Sequence, residues 1–288
     1  MDKHQFEQQR KFALTPSGKI AYIERGTGPV SLFVHGLIVN GYLWRHQLED
    51  LSTIRRCIAI DLLAHGSTEI TPEQDVSFEA QAEMLKQFLD ALHIDQIDLV
   101  ANDSGVGISL IFAARYPEKL RSLTLTNGDV HDNWPPVNFS GFLDMVKAGG
   151  LANTFHKMIT DPDYYRSENG FAGAYEDPQA VSDNTVAAYI TPLQTTPQRI
   201  KNMERFIMAF DNNQTVRIED DLKKLNVPTL IIWGTGDPFF GVEWSKWLEK
   251  TIPGHEKRVE LESAKMLFPE ERPDELTLEL RKFWAPNK

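Results

Sequence analysis

Short apolar runs alternate along this chain with longer stretches in which apolar residues recur every three or four positions. A brief apolar run bounded by turn residues predicts a buried strand, and the three-to-four period predicts a helix with one face inward. Strands are therefore expected at 30–34, 57–60, 97–100, 120–126, 229–233 and 257–261. Helices are expected at 78–92, 105–116 and 242–250, with a last one over 274–283. Such alternation is the mark of a largely parallel sheet, because parallel neighbours need a crossover that a helix supplies. The opening segment, 11–25, alternates around Ser17-Gly18 and predicts an N-terminal β-hairpin.

Between Thr126 and Asn226 the rhythm stops. Helix-like pieces at 142–158, 184–190 and 197–210 are broken by Pro, Gly and Asp, with no linker composition at either end. The expected architecture is an α/β core made of 1–130 and 216–288, with a helical cap at 131–215. The cap would lie over the C-terminal edge of the sheet, where open α/β sheets bind their ligands.

One junction carries chemistry. In Leu99-Val100-Ala101-Asn102-Asp103-Ser104-Gly105-Val106-Gly107 an apolar run ends in small residues and a helical pattern starts at once. A strand turning that sharply into a helix needs small residues two before and two after the apex. With Asp103 at the apex the flanks are Ala101 and Gly105, which fit. With Ser104 there they become Asn102 and Val106, and a β-branched residue would crowd the helix start. Asp103 is thus the candidate nucleophile, beside the plainer alternative of an N-cap aspartate.

Composition narrows the class. At 41% hydrophobic and 25% charged, the 288 residues suit a globular chain with a sizeable core. No run approaches the roughly 18–20 apolar residues of a membrane span. The start, Met1-Asp2-Lys3-His4-Gln5-Phe6-Glu7, lacks the apolar stretch of a secretory signal. The single cysteine, Cys57, excludes an internal disulfide and lies in an apolar run, as a core residue does. A net charge of −11 argues against nucleic acid or an anionic membrane surface as partner. Nothing has the spacing of a metal site or of a phosphate-binding glycine loop, so no cofactor is expected. A cytoplasmic protein acting on a small apolar molecule is expected, with a homodimer left open.

Other segments fall into order around Asp103. Phe33-Val34-His35-Gly36 precedes it, followed by Asp61-Leu62-Leu63-Ala64-His65-Gly66-Ser67; Ile232-Trp233-Gly234-Thr235-Gly236-Asp237-Pro238 comes after. In this order the motifs resemble those of the α/β-hydrolase superfamily, and of its members with an aspartate nucleophile, the haloalkane dehalogenases and epoxide hydrolases. The resemblance implies an α/β-hydrolase fold and an anion hole from the backbone N–H groups of Leu37 and Ser104. It also implies Asp237 as the acid of a catalytic triad. Ala64 and His65 depart from the pattern of their turn. The last motif departs further, since family members end on a glycine–histidine pair before an acidic pair and a proline. Here Ser263-Ala264-Lys265-Met266-Leu267-Phe268-Pro269-Glu270-Glu271-Arg272-Pro273 puts Met266 at the histidine's place, and no histidine follows His255.

That loss weighs less on an aspartate than on a serine. A carboxylate with a reference pKa near 4 is already ionised at neutral pH, and a helix N-terminus stabilises it further. It can attack an alkyl halide or epoxide carbon unaided. The histidine is needed afterwards, to activate the water that cleaves the ester, a contribution of about 10²–10⁴ in rate. His131, after the 120–126 strand in Asn127-Gly128-Asp129-Val130-His131-Asp132, is the candidate substitute base. Its alternative is a hinge residue paired with Asp129 or Asp132. His35 reads as structural and Lys265 as solvent-facing, while Met266, with Leu267 and Phe268, lines an apolar pocket or packs in the core. Trp44, Phe239, Phe240 and Phe268 are candidate walls of an apolar pocket, with core packing as the alternative. The side-chain signatures of both families are incomplete: Ser104 replaces the halide-donating Trp, and Leu37-Ile38 follow Gly36 where epoxide hydrolases carry a proline. Cap tyrosines (Tyr164, Tyr165, Tyr175, Tyr189) are present. Three functions follow: a hydrolase with an aspartate nucleophile, a non-hydrolytic enzyme using Asp103 as general base, and a ligand-binding homologue without turnover.

Overall fold

A computed structural model describes residues 1–285. Eight strands form one sheet: β1 (Lys11–Thr15), β2 (Gly18–Arg25), β3 (Val30–Val34), β4 (Arg56–Ile60), β5 (Ile97–Asp103), β6 (Leu120–Gly128), β7 (Thr229–Gly234) and β8 (His255–Leu261). Their order across the sheet is β1-β2-β4-β3-β5-β6-β7-β8. The expected hairpin is β1 and β2, antiparallel and joined at Thr15↔Gly18, and β2 also meets β4 antiparallel. Every pairing from β4 through β3 and β5 to β8 is parallel. All seven residues of β5 are buried, so both of its faces are covered, which is why it reads as an apolar run rather than an alternation.

The expected strands are all present, but β5 and β6 run further than their apolar patterns. β5 continues through Ala101-Asn102-Asp103 and β6 through Asn127-Gly128, with the register shifting between Ala101 and Asp103. These extra residues are polar yet buried, because they bond to one another across the sheet edge. The helices Phe78–Ala91, Ser104–Arg115, Val242–Thr251 and Pro273–Phe283 match expectation closely. The 142–158 piece is two helices, Ser140–Lys147 and Leu151–Thr160, separated where Gly149 adopts φ +75°. Short helices Lys3–Glu7 and Arg45–Leu51 were not foreseen; the first is too brief to show a period and is held by a capping box from Asp2 to Gln5.

Between β6 and β7 the regular elements are all helices joined by turns, from Ser140–Lys147 to Glu219–Leu222. This insertion is tied to loops that follow the C-terminal ends of β3, β4 and β8. Asn40 Nδ2 donates to the Ala188 carbonyl at 2.8 Å and Arg199 to the Gly66 carbonyl at 2.8 Å. The Leu267 N–H donates to the Ala174 carbonyl at 3.0 Å. Among the described residues no helix is long and apolar enough to cross a membrane.

Candidate active site

Asp103 closes β5 and stands immediately before the helix Ser104–Arg115, with φ 56° and ψ −131°. An L-residue with a side chain is strained in that region, and such strain persists only where surroundings over-determine it. Two glycines do so here. A Cβ on Gly36 would overlap the Asp103 carboxyl group, and one on Gly105 would lie 2.5 Å from the His35 carbonyl oxygen. The first lets the loop after β3 close over the side chain; the second lets the helix start pack against that loop. The apex therefore falls at Asp103, and Ser104 is the first helical residue.

The carboxyl group is met by backbone. Its Oδ2 accepts from the Leu37 N–H at 2.8 Å, and the nearby Ser104 N–H favours its charged form. These are the two residues the anion hole was expected to use. Burial nevertheless outweighs them: removal from water, with the charge of Asp237 adding to it, pushes Asp103 up to about 7. The direction runs against the expectation of a freely ionised carboxylate, because burial favours the neutral form.

Asp237, on the loop after β7, is held by three donors. Oδ1 accepts from the N–H groups of Phe239 (2.8 Å) and Phe240 (3.2 Å), and Oδ2 accepts from Asn127 Nδ2 at 2.8 Å. Burial raises it to about 6, opposed by those hydrogen bonds and by the charge of Lys265. Asn127 is itself locked to both the N–H and the carbonyl of Gly234 (2.6 and 3.0 Å), so β6 positions the side chain that follows β7. A third carboxyl group, Asp129, lies just past β6 with its N–H 3.3 Å from the Asp103 carbonyl. Burial and the charge of Asp103 push it well up, opposed in part by the nearby Ser104 side chain. Asn127 and Asp129 were missed as site residues. Their signal was position alone, at the C-terminal end of the strand neighbouring β5.

Met266 comes to the site through its backbone. Asn102, next to Asp103, donates from Nδ2 to the Met266 carbonyl at 2.8 Å and to Thr126 Oγ1 at 2.8 Å. The histidines lie elsewhere. His131 has Nδ1 3.2 Å from Asp132, Nε2 3.1 Å from Glu219, and its ring against Trp247. Both nitrogens are taken, so His131 has none to offer a water beside Asp103, and its assignment as base is withdrawn. It is a hinge-side residue paired with Asp132. His35 bonds to the Gly36 carbonyl through Nδ1 and accepts from the Leu62 N–H through Nε2, and burial lowers it to about 4. It is a neutral structural ring, as expected. Lys265 is half-buried rather than solvent-facing, with Nζ donating to the Ala172 carbonyl at 3.0 Å.

The proposed apolar walls also need correction. Trp44 and Phe268 have no surface that a water molecule could touch, so they line no cavity; Trp44 instead packs on Phe33. Phe240 is nearly sealed and serves Asp237 through its N–H. Phe239 is half-buried and meets Phe139 edge-on. Three of the tyrosines are already paired. Tyr175 and Tyr189 donate to Glu270 (2.9 and 2.5 Å) and Tyr165 to Asp183 (2.5 Å).

A family model described as alpha/beta hydrolase fold matches residues 29–272. A haloalkane dehalogenase of Mesorhizobium japonicum is 36% identical over 105 residues, which is 36% of this chain and only 34% of that protein. A cis-3-alkyl-4-alkyloxetan-2-one decarboxylase of Shewanella oneidensis is 26% identical over 254 residues, covering 84% of this chain and 78% of that protein. The solved structure of the epoxide hydrolase CorEH without ligand superposes with a TM-score of 0.79, at 18% identity, covering 96% of this chain and 98% of the other. At that identity the likeness is one of fold.

Proposed function

The chain belongs to the alpha/beta hydrolase fold family, and on that footing we propose that it is a hydrolase whose nucleophile is Asp103. Its substrate would be a small apolar electrophile of the haloalkane or epoxide class. The supporting observation is the strained elbow: a buried carboxyl group with no cation beside it among the described residues, at a positive-φ apex, held by the Leu37 N–H and with the Ser104 N–H nearby. A structural carboxylate needs no such backbone. The ionised fraction attacks carbon through the oxygen that Leu37 leaves free, expelling halide or opening the epoxide, and forms an alkyl ester on Asp103. The same N–H groups then stabilise the oxyanion when water adds to that ester. The helical insertion over this edge acts as the cap.

Intact-protein mass spectrometry after exposure to reactive haloalkanes and epoxides tests this. The added mass should map to Asp103 and vanish in Asp103→Asn. Met266→His, which restores a base where the family carries one, should speed release of the adduct. Failure of the native protein to take up label from a broad panel would remove the nucleophile.

A second reading has its own support. With no histidine on Asp103 or Asp237, a reaction that ends without hydrolysis loses nothing, and one relative is named as a decarboxylase of oxetan-2-ones. Carbon dioxide released from such a substrate, with Met266→His bringing no gain, would favour it.

A further inference from the structure

We propose that Asp237 is itself the general base of the hydrolytic step, acting directly on the water that attacks the Asp103 ester. The proposal rests on Asp103 forming the alkyl ester described above. In this family layout the acid after β7 acts through a histidine; here the segment that would carry it presents Met266, a side chain that cannot accept a proton in water.

Four observations bring the two carboxyl groups to one place. Asn102, adjacent to Asp103, holds the Met266 carbonyl at 2.8 Å, so the backbone of the vacated position lies beside the nucleophile. The same amide reaches the Asn127 carbonyl at 3.4 Å, and the Asn127 side chain holds Asp237 Oδ2 at 2.8 Å. Sheet register sets Asp103 opposite Gly128, the residue after Asn127. Neither residue is wholly sealed, with 6% of Asp103 and 8% of Asp237 exposed. Asp237 is also oriented as a base should be. Two N–H groups fix Oδ1, whereas Oδ2 has a single donor and a lone pair to spare. A carboxylate lifted towards neutrality by burial is a stronger base than one in water, yet still ionised above pH 6.

The step balances. Asp237 Oδ2 takes a proton from water as the water oxygen bonds to the ester carbon of Asp103. The resulting oxyanion is held by the N–H groups of Leu37 and Ser104. Collapse breaks the bond from that carbon to the alkoxy oxygen, and the alkoxide leaves as an alcohol with the proton from Asp237. Asp103 is left as a carboxylic acid and gives its proton to solvent. The charged and titratable groups around Asp237 are Asp103 on the elbow and Lys265 after β8, with Asp129 beyond them facing Asp103.

The test separates alkylation from release. Native protein and Asp237→Asn are labelled in one turnover with the same reactive haloalkane, and adduct mass is followed after the reagent is removed. Asp237→Asn keeps the shape and, through its one oxygen, the acceptor for the Phe239 and Phe240 N–H groups, giving up only the acceptor that faces Asn127 Nδ2, so it should label Asp103 at least as fast as the native chain. It should hold the adduct about 10²-fold longer or more. Release from the native protein should rise with pH through an inflection near 6, and that inflection should be absent from the variant. In Asp237→Ala, added formate should restore part of the release rate. Equal release from native and Asp237→Asn protein, or no release from either, overturns the role of Asp237 while leaving the nucleophile standing. Absence of label from native protein removes the nucleophile and this proposal together.

Discussion

Two groups of buried acids in this molecule are built on opposite plans. Glu270 sits under the insertion with the Arg45 guanidinium at 2.7 Å and the hydroxyl groups of Tyr175 and Tyr189 upon it. Asp61 has Arg10 at 2.7 Å, and Asp98 has Arg55 and Arg121 at 3.2 and 2.7 Å. Asp103, Asp129 and Asp237, equally buried, have no salt-bridge partner within 4 Å among the described residues and are held by neutral donors. A buried charge without a partner is costly, so the first plan serves the fold and the second is kept at the fold's expense. Uncompensated acids with raised pKa values, gathered at one sheet edge, are the feature on which the proposed active site rests. The difference also explains the tyrosines: committed to Glu270, Tyr175 and Tyr189 fasten the insertion to the core rather than donate to a substrate.

The comparison breaks most visibly if the cation is taken from the structural plan. Arg45→Met should cost about 3–5 kcal/mol in urea unfolding, because it strands Glu270. Glu270→Gln in that background should recover part of the loss. An unchanged midpoint for Arg45→Met would mean the Arg45 pair carries no weight.

Removing charge from the second plan should do the reverse. The folded pKa of Asp103 lies above its unfolded value, so its favourable contribution is full below about pH 4 and is lost as pH rises through about 7. Asp103→Asn should therefore unfold at higher temperature than the native protein at pH 8, by at most about 4 kcal/mol of stability, with the gap closing towards pH 4. A gap that widens on acidification contradicts the buried, unpaired acid.

The same titration governs reactivity. Alkylation of Asp103 needs the ionised form, so its rate should rise about tenfold per pH unit below neutrality and level off above about 7. A rate that is flat from pH 5 to 8 would show a carboxylate ionised throughout. The smallest effect belongs to His131, whose partners Asp132 and Glu219 lie on the outside of the hinge. His131→Ala should leave alkylation and release unchanged and cost no more than about 1 kcal/mol. A slowed release would return His131 to the site.

The hydrophobic pattern by itself determined the parallel core, the hairpin, the place of the helical insertion and Asp103 as the apex. Each of these follows from local chemistry: strand and helix periods differ, and only small flanks permit so tight a turn. Asp237 and the anion-hole candidates Leu37 and Ser104 were reached only through the resemblance of their sheet-edge turns to the family's motifs. Tertiary structure alone decided the rest. Whether His131 faces Asp103 or Glu219 depends on the direction the chain takes after β6, and no residue type encodes that. Trp44 and Phe268 are as apolar in a core as in a pocket, so only packing tells the two apart. Asn127 and Asp129 join the site through strand register, which brings β6 residues beside β5 and β7 from distant parts of the chain. The protonation of Asp103 is the sharpest case. A sequence names the group, but burial and the other acids around it, which exist only after folding, set its charge.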